Sequence, residues 1–362
     1  MSMLNRILKG VISCQSLVVS RKSGRIKFTP HLTTLYSTTL FCLLFLTSCE
    51  KEDSPITLPP PGEMKMVSAS MGLNYDDQVY VDFETGLTKN VPYRSYDLAF
   101  EASADGWRVY LNTGKLMFVA NTATSDMTLA DSTGKGWKTE TEHLYDDSTA
   151  FGNWQSGNPV YVIDRGRVEH FGTARWRKFQ ILSVNDDEYQ IRFSLYNNTQ
   201  VTDFTIPKNP AYSLMYFSFE NGGKMVDVAP EKNLWDVVFT KYTYTYYSEP
   251  VNSPYRYYLV TGALLNKWAG NENICVRQDS IVNYIPYEEV NGTEAANYPF
   301  NQLAGAIGFG WKDFDFNLGY IIVPNRYYLL KDPNGFIYKI RFLDFYDDQG
   351  NKGTATFEYQ RL

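Results

Sequence analysis

Arg326-Tyr-Tyr-Leu-Leu-Lys-Asp-Pro-Asn-Gly-Phe-Ile-Tyr-Lys-Ile-Arg-Phe342 is the stretch that decides the fold class. Two runs rich in aromatic and β-branched residues flank Asp332-Pro333-Asn334-Gly335. Proline fixes φ at the second position of a tight turn and Asn-Gly tolerates positive φ, so the stretch predicts a β-hairpin. Its second arm alternates with period two. So do Gln78-Val-Tyr-Val-Asp-Phe83 and Tyr189-Gln-Ile-Arg-Phe193. Asp347-Asp348-Gln349-Gly350-Asn351 joins two more such runs. No long helical pattern interrupts them; short helical turns are expected only near Leu264–Ala269 and Glu294–Asn297. The chain carries 28 Tyr and 22 Phe, residues that serve as cross-strand pairs. The expectation is an all-β protein of antiparallel strands with long irregular loops.

Working outward, the strand pattern repeats. Tyr80-Val-Asp-Phe-Glu-Thr-Gly86 is echoed by Tyr216-Phe-Ser-Phe-Glu-Asn-Gly222. Tyr96-Asp-Leu-Ala-Phe100 is echoed by Trp235-Asp-Val-Val-Phe239. Each half then has a long middle and closes on a hairpin-like tail: Trp176–Phe193 in one, Tyr338–Tyr359 in the other. This order of features predicts two related β-domains, 67–207 and 208–362, joined at Ile206-Pro-Lys-Asn-Pro210. A length near ~150 residues each suits two domains.

The N-terminus reads as an export signal. Arg6, Lys9, Arg21, Lys22, Arg25 and Lys27 precede Leu40-Phe-Cys-Leu-Leu-Phe-Leu46, and residues 1–48 hold no acidic side chain. The apolar run is shorter than the ~20 residues of a membrane-spanning helix. Leu46-Thr-Ser-Cys49 places small residues before a cysteine, so residues 1–48 are expected to be a lipoprotein signal peptide and Cys49 the lipidated first mature residue. Residues 49–66 form the tether, with the Pro-rich Ser54-Pro-Ile-Thr-Leu-Pro-Pro-Pro61 as a stiff spacer. The acidic Glu50-Lys-Glu-Asp53 resembles a surface-export signal, which implies an outer-membrane protein facing the cell exterior. With a formal net charge of −6 before the basic leader is removed, nucleic acid is excluded as a natural partner. Cys14 and Cys42 leave with the leader, so Cys275 stands alone and reads as a structural thiol.

The second half is similar to the HmuY-like haem-binding lipoproteins. Met215-Tyr-Phe-Ser-Phe-Glu-Asn-Gly222, Asn233-Leu-Trp-Asp-Val-Val-Phe239 and Arg326–Tyr359 carry the resemblance, and Asn158-Pro-Val-Tyr-Val-Ile-Asp-Arg-Gly166 is its clearest counterpart in the first half. The resemblance implies haem, as haem b or a related tetrapyrrole, held by two axial side chains between loops. It also implies delivery to a TonB-dependent outer-membrane receptor. The sequence departs from the family where a ligand is expected. Residues 208–362 contain no histidine, and Gly310-Trp311 is followed by Lys-Asp-Phe-Asp-Phe-Asn317. In the second half only tyrosines such as Tyr284, Tyr287 and Tyr298 could offer an iron ligand; in the first half the axial candidates are His143 with Met127 in the same loop-rich region, and His170 reads as a turn residue.

No zinc-protease, nucleophile-elbow or phosphate-loop motif is present, so no enzyme is expected. The pairs Asp146-Asp147, Asp186-Asp187 and Asp347-Asp348 lack the spacing of a calcium loop and read as turns. Tyr242-Thr-Tyr-Thr-Tyr-Tyr247 and Tyr255-Arg-Tyr-Tyr258 present rings that could stack on a flat ligand. The alternative function is thus a glycan-binding or adhesion lipoprotein on the same scaffold.

Overall fold

A computed structural model describes residues 60–362 apart from 145–147, 167–171, 252, 254 and 280–283. The leader, Cys49 and His170 lie outside the described residues. The first series of strands comprises β1 (Lys65–Ser70), β2 (Asp77–Val81), β3 (Thr88–Pro92), β4 (Leu98–Glu101) and β5 (Val109–Leu111). It continues with β6 (Phe118–Asn121), β7 (Trp137–Lys138), β8 (Tyr161–Asp164), β9 (Trp176–Val184) and β10 (Glu188–Leu195). The second series begins with β11 (Thr202–Pro207), β12 (Leu214–Ser218), β13 (Lys224–Val226), β14 (Val237–Thr245) and β15 (Tyr257–Leu265). It ends with β16 (Glu272–Arg277), β17 (Lys312–Asp315), β18 (Gly319–Ile322), β19 (Arg326–Lys331), β20 (Ile337–Tyr346) and β21 (Lys352–Arg361). The all-β expectation holds. The one α-helix among the described residues is the single turn α1 (Gly292–Ala295), closed by an Asn291/Glu294 capping box. Near Leu264–Ala269 the chain makes only a 3-10 turn, Lys267–Ala269, after β15 ends.

The four large sheets form two matching pairs. One outer sheet runs β11-β10-β9-β8-β6-β7 and the other β1-β21-β20-β19-β16. The inner sheets run β13-β12-β4-β5 and β3-β2-β14-β15. Each order maps onto its mate when β1–β6 are set against β11–β16 and β8–β10 against β19–β21. The lobes therefore share one strand order, and each inner sheet is completed by strands from the other half of the chain. β12 pairs with β4, and β2 pairs with β14.

That exchange corrects the expected domain boundary. The joint at residues 207/208 falls between β11 and β12, which both belong to the first lobe. β1–β3 belong to the second lobe, where β1 pairs with β21 along its whole length. Residues 59–362 form one compact unit. The sequence repeat was visible; the pairing of its copies depends on contacts far apart in the chain.

Three aromatic-rich cores separate the four layers. Phe100, Phe179, Tyr189, Phe193 and Phe217 fill the first lobe. Phe83, Phe239, Phe342 and Phe357 fill the second. Between the inner sheets lie Tyr80, Tyr96, Tyr110, Tyr216, Trp235 and Val238. There Tyr80 meets Trp235 edge-on at 4.9 Å, and Tyr96 meets Tyr216 at 4.8 Å. Strand alternation explains how one strand serves two cores: Val79 and Val81 face one side and Tyr80 the other.

The first lobe buries an ion cluster. Asp97 accepts from Lys115 Nζ at 2.9 Å, from Arg165 Nη2 at 2.8 Å and from the Phe219 N–H at 2.8 Å. Arg165 also reaches Glu220 at 2.7 Å. Burial alone would push the Asp97 carboxyl up, but Lys115 and Arg165 outweigh it and hold the group well below the usual range. Removing one partner strands the other charges. Asp97→Ala is expected to cost about 3–5 kcal/mol in urea unfolding. Because the folded Asp97 pKa is depressed, its contribution is complete above the unfolded value of ~3.9 and is lost as pH falls below it. The wild-type stability should therefore drop between about pH 4 and pH 2 more steeply than that of Asp97→Ala. Equal slopes would contradict the assignment.

Candidate functional site

A cavity of about 410 Å³ opens in the second lobe. Its size falls in the ~300–1,000 Å³ range of small-molecule sites. Its walls come from β14, β16, β19 and the irregular loop 305–310. That loop lies on β15 like an extra strand, with Ala263 and Gly308 exchanging backbone hydrogen bonds at 2.9 and 3.0 Å. Only glycine permits the approach at position 262, because a Cβ there would sit 2.3 Å from the Gly308 carbonyl oxygen.

The lining has two chemical parts. Tyr242, Tyr244, Phe309 and Tyr328 supply ring surface, with Tyr244 edge-on to Phe309 at 5.0 Å. Arg277 and Arg326 supply positive charge and are direct cross-strand partners on β16 and β19. Like charges placed opposite each other on a sheet destabilise it unless an anion lies between them. Arg277 has Asp279 at 3.5 Å, but Arg326 forms no ion pair among the described residues. Its Nε is buried without a hydrogen-bond partner. Cys275 also lines the cavity; burial pushes its thiol up, which keeps it protonated and a poor metal ligand. The arrangement suits a flat, largely apolar ligand that carries carboxylates.

The two expected axial residues have different surroundings. Met127 lies against β9 and β10 of the first lobe. Its carbonyl accepts from Lys178 Nζ at 2.8 Å and its Sδ from Ser194 Oγ at 3.5 Å. His143 instead sits at the junction of the lobes, beside the cavity loop. A Cβ built on Gly305 would lie 3.1 Å from His143 Nδ1. Burial lowers its pKa, against a smaller opposing pull from Glu142, so the imidazole is held in its neutral, ligating form. Neither residue lines the cavity itself. The arginine pair was missed from sequence because nothing local signals the register between two strands separated by residues 278–325.

The HmuY protein family profile matches residues 74–359. Among solved structures, the chain is similar to an apo PinO from Porphyromonas gingivitis at 14% identity. That match covers 83% of this chain and 97% of the other, with a TM-score of 0.31. It is also similar to the apo HmuY analog TFO of Tannerella forsythia at 10% identity, covering 84% and 98%, with a TM-score of 0.29. No curated protein matches the chain. At such identities and scores the family match carries the assignment, not the superpositions.

In the stretch after Gly310, where the resemblance calls for a ligand, Trp311 and Lys312 are core, whereas Phe314 and Phe316 are exposed. Trp311 stacks on Phe342 with ring centroids 4.1 Å apart. Lys312 is buried, with Nζ 4.3 Å from the Trp311 ring centroid and donating to the Thr261 carbonyl at 2.5 Å. Burial pushes this amine down to about 7. Between that value and the unfolded pKa of ~10.4 the unfolded chain binds more protons, so Lys312 makes stability rise with pH. Denaturant midpoints are expected to increase from pH 7 to pH 9 in the wild type and to change less in Lys312→Met. A variant as pH-sensitive as the wild type would contradict this account.

Proposed function

The chain belongs to the HmuY family, and from that footing we propose that it binds haem in the cavity between β14, β16, β19 and loop 305–310. The observation that carries this reading is the pairing of Arg277 with Arg326 at an aromatic-lined cavity. Two guanidinium groups suit the two propionates of a porphyrin, and guanidinium–carboxylate bonds are among the stronger ones available. Tyr244 and Phe309 offer ring surface to the macrocycle. When bound, haem would supply the iron centre, and His143, outside the cavity lining but against Gly305 of its loop, is the residue proposed to hold it. Met127, engaged with β9 and β10, is assigned a packing role.

The wider reading follows the N-terminal sequence. We infer a lipid anchor at Cys49, an outer-membrane location facing the exterior, and hand-off of haem to a TonB-dependent receptor. The role is capture and not catalysis. Among the described residues, no helix is long and apolar enough to cross a membrane. The glycan-binding alternative is favoured by one observation: Tyr247, Tyr255 and Tyr258 are exposed near the β14–β15 turn.

Haemin titration into protein beginning at Pro59 tests the proposal. The wild type is expected to give a sharp, saturable Soret band. Arg326→Ala should weaken binding about tenfold or more, the scale of a lost charge-assisted hydrogen bond worth roughly 1.5–3 kcal/mol. His143→Ala should shift the band, and Met127→Ala should leave both properties unchanged. A broad band that never saturates would overturn the haem reading and leave the tyrosine surface as the one to probe with oligosaccharides. Wild-type affinity in Arg326→Ala would move the site elsewhere.

A further inference from the structure

The two lobes share one strand order, yet their buried ionic sites differ in charge. Asp97 and Asp236 are equivalent: each follows an aromatic residue before an inner strand, and each accepts a backbone N–H, from Phe219 and from Phe83, at 2.8 Å. Arg165 corresponds to Asp332. Both residues follow the equivalent strands β8 and β19, and both donate their N–H to the residue before the next strand, at 3.0 and 2.9 Å. Lys115 corresponds to Ala269. Each ends a 3-10 turn begun by an asparagine, Asn112 or Asn266, whose side-chain amide donates to the carbonyls of Tyr96 and Trp235 respectively.

The second lobe has thus replaced one cation by a methyl group and the other by a carboxylate. A polar cavity of about 110 Å³ lies where they would be, lined by Asp82, Asp236, Ala269, Asn271 and Asp332. Asp236 and Asp332 each use one oxygen on a backbone N–H, from Phe83 and Phe336. Asn271 is fully buried and its Oδ1 has no hydrogen-bond partner. Lys232 lines the rim and makes no ion pair with these groups. A buried acceptor beside two buried carboxylates costs stability unless something positive sits among them.

We propose that the second lobe binds a hard divalent cation, calcium by its chemistry, through Asp236, Asp332 and Asn271, in the position that Lys115 and Arg165 fill in the first lobe. Calcium accepts irregular sets of carboxylate, amide and water oxygens. Among the described residues no three His, Cys, Asp or Glu side chains form a metal cage, so the amide oxygen and water complete the shell.

Calorimetric titration of calcium chloride into chelator-treated protein beginning at Pro59, with thermal unfolding alongside, tests this. The wild type is expected to bind one ion and to melt several degrees higher with calcium than with EDTA. Asp236→Asn, which keeps an acceptor for Phe83, and Asp332→Asn should lose both responses. Ala269→Lys, which restores the amine of the first lobe, should melt higher than the wild type in EDTA and no longer respond to calcium. No binding by the wild type would overturn the proposal. So would binding that survives in both asparagine variants.

Discussion

Everything in this fold depends on the exchange of a three-strand segment, β1–β3 for β11–β13, between two lobes of matching strand order. An isolated copy would leave β2 or β12 facing solvent with an unpaired backbone edge, which is a liability in any sheet. Pairing β2 with β14 and β12 with β4 removes both edges together. It also brings the inner sheets face to face, so that Tyr80, Tyr96, Tyr216 and Trp235 become core instead of surface. The result is four layers around three apolar seams. Neither lobe is complete without the other, and the long connections feed side chains such as Phe151, Trp154 and Ile307 into the cores.

The matching strand orders place two equivalent ionic positions in the chain, and they differ. In the first lobe Asp97 is neutralised from within by Lys115 and Arg165. In the second, the corresponding positions are Ala269 and Asp332, and a polar cavity remains. The larger aromatic cavity is likewise a feature of the second lobe, where loop 305–310 is held on β15 across Gly262. The first lobe has an opening of its own, about 270 Å³ on β12 and β13, but its lining of Leu214, Met215, Tyr216 and Met225 carries no cation pair.

The strands were legible because period-two alternation and turn chemistry are local: the Asp332–Gly335 hairpin and the repeat of Tyr80–Gly86 at Tyr216–Gly222 could be read directly. The boundary at 207/208 misled because sequence shows that a unit repeats, not which copy its strands pair with. The site was less legible still. Histidine and methionine attracted attention as haem ligands, whereas Arg277 and Arg326 look like ordinary strand residues until β16 and β19 are in register. Asp236, Asn271 and Asp332 are also far apart in the chain and carry no motif. Trp311 and Lys312 show the converse: a position singled out by family resemblance is occupied by buried packing.

The central claim is that the arginine-flanked aromatic cavity is the haem site. A crystal structure of the haem complex tests it most directly. The account predicts the porphyrin against Tyr244 and Phe309 with its propionates on Arg277 and Arg326. Haem bound away from loop 305–310, with those two arginines unengaged, would contradict it.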